Sequence, residues 1–359
     1  MKILFFIGKL YGGGAERVAT TIMNHLSKKH SVIAAISNDK KPSYPINSKI
    51  VIWKYTYNGV NNTIRIIDRT LKIHKIINDT KPDLIISFIT ELNGCVLLAN
   101  CLKKRKIIVS ERTTIQRQMS FWRSFSRHIL YRFASKVVLV SKNDYNYANW
   151  LENKTVIYNP LFFPITDNYE KREKKIIIIG DLCRWHVKGF DLLIQAWSKI
   201  APLYPDWKLQ FVGATDNSPI TEMVKSYGLE NQSDFLGWTD EIDKVLQTKS
   251  IYVLSSRHEG CPNSLIEAMS QGCACVAFDC KTGPNEIITD GVSGLLAQNG
   301  DIDDLAAKLQ RLIDDEHLRQ RLAKGATEEV RRFEKGKIMR QWDDLIDEVT
   351  LNTRKKGNT

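Results

Sequence analysis

The chain has 359 residues, more than one compact core readily holds and enough for two domains of ordinary size. An apolar fraction of 43% excludes a disordered protein, and no apolar run approaches the roughly 18 residues a membrane-spanning helix needs. The net charge of +12 is uneven: residues 1–165 hold 26 Lys and Arg against 9 Asp and Glu, a net of +17, and the remainder stands at −5. The first half is therefore expected to face something anionic, nucleic acid or a phospholipid surface.

MKILFFIG at the start lacks a signal-peptide cleavage site and runs directly into Gly12-Gly13-Gly14, so it is predicted to be a buried strand. GKLYGGGAER then leads into a helix, where backbone amides gather at a positive terminus. Gly12 and Gly14 fit the first two positions of a dinucleotide fingerprint, but Arg17 occupies the third, and no Lys-Ser or Lys-Thr makes a Walker loop. A tight strand–helix turn explains the glycines equally well.

SVIAAIS, DLIISFI, KIIVSER and KVVLVS continue a first series of continuous apolar runs, the pattern of parallel strands covered on both faces. Between the last two lies TTIQRQMSFWRSFSRHILYRFASK. Trp122, Phe125, Ile129 and Phe133 recur there at helical steps, flanked by Arg117, Arg123, Arg127 and Arg132. A basic amphipathic helix on anionic lipid and a helix covering the first sheet both fit that stripe.

VIYNPLFFPITDNYEKREKK, with Pro160 and Pro164, marks a junction and predicts domains at 1–163 and 164–335. KIIIIGD, LQFVGA, DFLGW, IYVLSS and CACVAFD form the second series, so each domain is read as doubly wound α/β. GDLCRWHVKGFDLLIQAW brings Arg184 and Lys188 to a strand–helix loop, where cations could neutralise a diphosphate, although exposed cations are ordinarily only solvated.

SSRHEGCPNSLIE follows strand IYVLSS. Pro262 suits a first helical position, Glu259 falls in the loop and Glu267 in the second turn. The amides of Asn263, Ser264 and Leu265 would form a phosphate nest flanked by carboxylates that accept from hydroxyls, which describes a nucleotide sugar. By spacing alone, two surface charges explain the acids better.

Cys273, Cys275 and Cys280 in GCACVAFDC suit a strand better than a zinc site. Seven cysteines at irregular spacing argue for a reduced, cytoplasmic protein. Asp301-Ile302-Asp303 spells a metal-binding Asp-x-Asp but is better explained as a helix cap. Beyond residue 301 the pattern is helical, ending in the basic Arg354-Lys355-Lys356.

Together KGFDLLIQAW, FLGW, Glu259/Glu267, GPNEIITDGVSGLL, GGGAERV, Ser110-Glu111-Arg112, VVLVS and VIYNP resemble glycosyltransferase family 4, in the right order along nearly the whole chain. The resemblance implies two facing doubly wound Rossmann-like domains (GT-B) with a cleft between them and a C-terminal helix, from about 336, crossing back onto the acceptor-binding first domain. It implies retaining transfer without a metal or other cofactor. Glu259 would contact the transferred sugar and Glu267 the donor ribose. Arg184 and Lys188 would hold the diphosphate, with Gly13 and Gly14 closing over it, and Phe235 and Gly237 would lie on the nucleobase side. One departure is that Gly180 is followed by Asp181 where many members have arginine, so Arg184 takes that role from a longer loop.

Glu111 and Arg112 are assigned to the acceptor side. The expected partners are a nucleotide-sugar donor, a glycan or lipid-linked acceptor and an anionic membrane surface, with no nucleic acid. A nicotinamide dehydrogenase is disfavoured by the incomplete glycine fingerprint, and a nucleic-acid binder leaves the second half's phosphate nest without a role.

Overall fold

The structure is a computed structural model that describes residues 1–351 except 39, 102, 117–119, 167, 170–171 and 214–217. Arg117 and the basic tail Arg354-Lys355-Lys356 lie outside the described residues. The chain divides into two units, Met1–Pro160 with the chain from Gly336, and Leu161–Lys335.

Seven strands build the first unit: β1 (Lys2–Phe6), β2 (Ser31–Ile36), β3 (Val51–Lys54), β4 (Leu84–Phe88), β5 (Lys106–Ser110), β6 (Lys136–Leu139) and β7 (Lys154–Val156). They form one parallel sheet in the order β3-β2-β1-β4-β5-β6-β7. LIISF of central β4 is buried at every position, because helices cover both faces of a doubly wound sheet. Edge strands β3 and β7 are half-exposed and carry no such run, which is why the apolar pattern did not announce them. The helices are α1 (Gly14–Leu26), α2 (Asn62–Thr80), α3 (Thr90–Asn100), α4 (Phe121–His128) and α5 (Lys142–Tyr147). Asn61 caps α2 by accepting from the Ile64 amide at 2.9 Å.

One expectation fails here. The stripe from Trp122 to Phe133 is not a single amphipathic helix, since α4 ends at His128 and Leu130–Phe133 forms a separate 3-10 turn. Trp122 and Phe125 pack against the unit's core, and Arg127 is buried. Phe121 (86% exposed), Phe133 (76%), Ile129 and Arg132 still face outward.

The second unit contains β8 (Glu173–Ile179), β9 (Lys208–Val212), β10 (Ser233–Gly237), β11 (Lys249–Leu254), β12 (Ala274–Asp279) and β13 (Leu295–Gln298). Their parallel order is β10-β9-β8-β11-β12-β13, so the winding reverses between β8 and β11. Open sheets of this kind bind ligands beyond the strand ends at that switch point. Its helices are α6 (Trp185–Lys188), α7 (Phe190–Ile200), α8 (Pro219–Ser226), α9 (Ile242–Thr248), α10 (Asn263–Ser270), α11 (Pro284–Ile287), α12 (Ile302–Asp314) and α13 (Glu316–Glu329). Asp301 caps α12, accepting from the Asp303 and Asp304 amides at 3.0 Å, as its position after Gly300 predicts.

The last helix, α14 (Lys335–Leu351), belongs from Gly336 onward to the first unit. Its buried Trp342 stacks on Phe88 with ring centroids 6.4 Å apart, Asp343 meets His25 at 3.0 Å and Glu348 meets Lys136 at 2.8 Å. No helix among the described residues is long and apolar enough to cross a membrane.

Candidate active site

The loops after β8 and β11 flank the second unit's switch point, and several bonds join them. The Arg257 amide donates to the Val187 carbonyl at 3.0 Å, and the Ser255 hydroxyl donates to the Gly189 carbonyl at 2.7 Å. The Arg257 guanidinium holds Asp191 with both arms, at 2.8 and 2.6 Å, and also reaches the His186 carbonyl. Gly189 makes this approach possible: at φ 67° a Cβ there would stand 1.8 Å from the Ser255 oxygen.

That join brings Lys188 and Glu259 together. Lys188 Nζ donates to Glu259 Oε1 at 2.7 Å, with both side chains largely shielded from solvent. The Glu259 backbone carbonyl accepts from the Thr282 hydroxyl, and Gly283, at φ 99°, packs its loop against Gly260 and Pro262. Arg184 is exposed at the end of a 3-10 turn, Leu182–Arg184, and its guanidinium has no ion pair among the described residues.

Helix α10 starts one residue later than predicted. Pro262 is its extended cap at φ −73°, ψ 101°, and Asn263 is the first helical residue. The Ile266 amide gives the first helical bond, to the Pro262 carbonyl at 3.3 Å, so the amides of Asn263 and Ser264 precede the helical ladder. Leu265 is a correction: its amide already donates to Pro262 at 3.2 Å and its side chain lies in the core, so it drops out of the expected nest.

Glu267 is only 7% exposed, yet it is not stranded in an apolar core. Buried Tyr252, on β11, donates its hydroxyl to Ser264 Oγ at 2.8 Å. Burial holds the Tyr252 phenol well above its ordinary range, and the charges of Glu259 and Glu267 add to the effect. The two acids therefore share one neighbourhood around the start of α10. Tyr252 was invisible in the sequence because IYVLSS reads as an ordinary buried strand.

Phe235 is half-buried: its ring stacks on Phe211 at 5.0 Å and packs against the second unit's core. Gly237, at φ 71°, uses its carbonyl to accept from the Gly213 amide at 2.7 Å, a turn-making role. Trp238 next to it is the exposed aromatic.

In the first unit, Gly13 caps α1, Gly14 begins it, and both are exposed. Glu111 does not face an acceptor. It is buried, accepting from Arg127 Nε at 3.2 Å, from the Thr90 and Tyr131 hydroxyls at 2.8 Å each and from the Thr113 hydroxyl at 3.0 Å. Burial pushes this carboxyl up, but Arg127 and the hydroxyl donors outweigh it and hold it below the usual range. Half-buried Arg112 donates to Ser110 and, at 2.8 Å, to Asn159, and lies over Phe88 and Trp342. The Ser-Glu-Arg stretch thus organises the end of β5. Its charges looked functional because sequence does not reveal a buried counter-charge 16 residues away.

Among the described residues no three His, Cys, Asp or Glu side chains gather in a metal-holding group. Burial raises the Cys273 thiol to about 11 and the Cys280 thiol to about 12.

Comparison with known proteins adds the following. A family model described as "Glycosyl transferases group 1" matches residues 165–329, and one described as "Glycosyltransferase Family 4" matches 12–161. The amylovoran biosynthesis glycosyltransferase AmsD of Erwinia amylovora is 27% identical, over 96% of this chain and 99% of that protein. A Campylobacter jejuni enzyme named GalNAc-alpha-(1->4)-GalNAc-alpha-(1->3)-diNAcBac-PP-undecaprenol alpha-1,4-N-acetyl-D-galactosaminyltransferase is also 27% identical, over 97% and 99%. Among solved structures, Anabaena Alr3699/HepE in complex with UDP has a TM-score of 0.80 at 21% identity, covering 97% of this chain and all of that one. This last likeness shows the fold.

Proposed function

Because the chain belongs to glycosyltransferase family 4, we propose that this glycosyltransferase moves a sugar from a nucleoside-diphosphate sugar to an acceptor hydroxyl, with retention of anomeric configuration. The acceptor in this reading is a lipid-linked oligosaccharide or a cell-surface polysaccharide precursor, the substrate class named for the Campylobacter relative. The UDP bound to the Anabaena protein supports a nucleotide donor.

The observation that carries the reading is the Lys188–Glu259 pair at the β8/β11 switch point, next to the start of α10. A donor diphosphate on the Asn263 and Ser264 amides would compete for Lys188 and draw in exposed Arg184, freeing Glu259 to accept from sugar hydroxyls. Glu267 is assigned to the ribose. The bond from the anomeric carbon to the phosphate oxygen breaks as the acceptor oxygen bonds from the same face. The departing phosphate takes the acceptor proton, so no protein base is required. Arg184, Lys188 and the helix amides stabilise the charge on the leaving group, a role a metal plays elsewhere, so turnover is expected to persist in excess chelator.

Exposed Phe121, Ile129, Arg132 and Phe133 are proposed to touch the cytoplasmic face of an anionic membrane, a role that does not need the continuous helix. Indifference of vesicle co-sedimentation to anionic lipid would oppose it. The test of the reaction itself is Glu259→Gln, which removes charge without changing shape. Transfer should fall by about a hundredfold or more with the fold intact, and the anomeric coupling of the wild-type product in NMR should match that of the donor. Near-normal turnover of the variant, or an inverted product, would refute the mechanism.

A further inference from the structure

Helix α2 is apolar on two faces, and the first unit covers only one of them. Ile66, Ile73, Ile76 and Ile77 pack against the unit's core. Ile64, Ile67 and Leu71 turn the other way, at 44%, 54% and 63% exposed, and Val60, just before the helix, is 94% exposed. These four follow one another at steps of four, three and four residues, so they form a stripe along one face rather than scattered surface side chains. A helix with apolar residues nearly all round is ordinarily covered on both sides.

The charges beside the stripe carry mostly one sign. Arg65, Lys72 and Lys75 are exposed, and neither lysine has an ion pair among the described residues. Of the helix's two acids, Asp68 is half-buried and accepts from the Asn58 amide at 2.8 Å, and Asp79 stands about two turns beyond Leu71. Like charges oppose pairing of this face with the same face of a second copy, since a twofold contact would bring the cations together. The stripe is aliphatic, without the rings that stack on nucleic-acid bases. An anionic lipid surface supplies what the side chains need, acyl chains for the stripe and headgroups for the cations.

Placement points the same way. α2 packs beside α3 and α3 beside α4, and residues of all three lie over one face of the sheet, the face of Leu4, Phe6, Ile85 and Ile107. The α2 stripe and the exposed Phe121 and Phe133 thus stand on one helical layer, a breadth that suits a plane of lipid better than the bounded footprint of a protein.

We propose that the outward face of α2 docks the first unit on an anionic bilayer, with Val60, Ile64, Ile67 and Leu71 among the acyl chains and Arg65, Lys72 and Lys75 at the headgroups. The inference rests on the membrane as partner, as proposed for Phe121 and Phe133, but on different residues, and it does not depend on the transfer reaction.

The test is co-sedimentation of the full chain with phosphatidylcholine vesicles, with and without phosphatidylglycerol. Wild type should bind the anionic vesicles and not the neutral ones. Ile64→Ser with Ile67→Ser and Leu71→Ser should weaken that binding at least about tenfold. Lys72→Gln with Lys75→Gln should do the same by removing two headgroup contacts. All five positions are exposed, so both variants should melt within about 2 °C of wild type. Phe121→Ser with Phe133→Ser reads the other patch separately. If only that variant loses binding, the α2 proposal fails and the earlier contact stands; if only the α2 variants do, the reverse holds. Sedimentation velocity without lipid addresses the remaining occupant. A wild-type dimer that the triple serine variant splits would assign the stripe to a second copy and overturn the proposal, as would unchanged vesicle binding by either α2 variant.

Discussion

Glu111→Gln isolates the cost of an unpaired charge in the first unit. The substitution keeps the shape of the side chain but leaves Arg127, fully enclosed at 3.2 Å, without its counter-ion. Removing one partner of a buried pair costs about 3–5 kcal/mol. For a unit of this size, at about 2–4 °C per kcal/mol, the melting temperature should fall by about 6–20 °C. The double change Glu111→Leu with Arg127→Met removes both charges and should be the milder lesion, although Tyr131 and Thr90 then lose an acceptor. The carboxyl sits below its ordinary range in the folded chain, so its contribution is present above the unfolded value near pH ~4.3 and is lost as pH falls through the lower folded value. Glu111→Gln should remove that acid-side slope. Calorimetric melts from pH 3 to 7 measure both effects, with nucleotide affinity as a control that should not move. A loss under about 1 kcal/mol with an unchanged acid slope would show that the pair is not the anchor its burial implies.

Other outcomes follow from the same geometry. Gly189→Ala would drive a methyl into the Ser255 carbonyl at a left-handed position, so donor affinity should drop along with the melting temperature, as nucleotide titration can record. Trp342→Ala should cost about 3–5 kcal/mol by emptying the α14 contact with Phe88, and an unfolding midpoint near wild type would contradict that packing. Native alkylation at pH 8 should label exposed Cys101 and Cys183 first and leave buried Cys273, raised to about 11, and Cys280, raised to about 12, as thiols, a pattern peptide mass spectrometry can read.

Sequence by itself determined the class of the fold and pointed to the candidate site. Runs such as LIISF and IYVLSS can only be strands buried on both faces, so two doubly wound sheets follow from chain order. Glu259 and Lys188 were legible because polar residues following such strands must emerge at their carboxyl ends. Edge strands β3 and β7 escaped, since exposed edges need no apolar run. Tertiary structure alone decided which charges are spoken for. Glu111 is consumed by Arg127 and the Leu265 amide by Pro262. The physical reason is that periodicity reports which face of an element is covered, a property local to the chain. Whether a buried polar group finds its partner depends on residues far away in sequence, brought within a few ångströms only when the sheet closes over its helices.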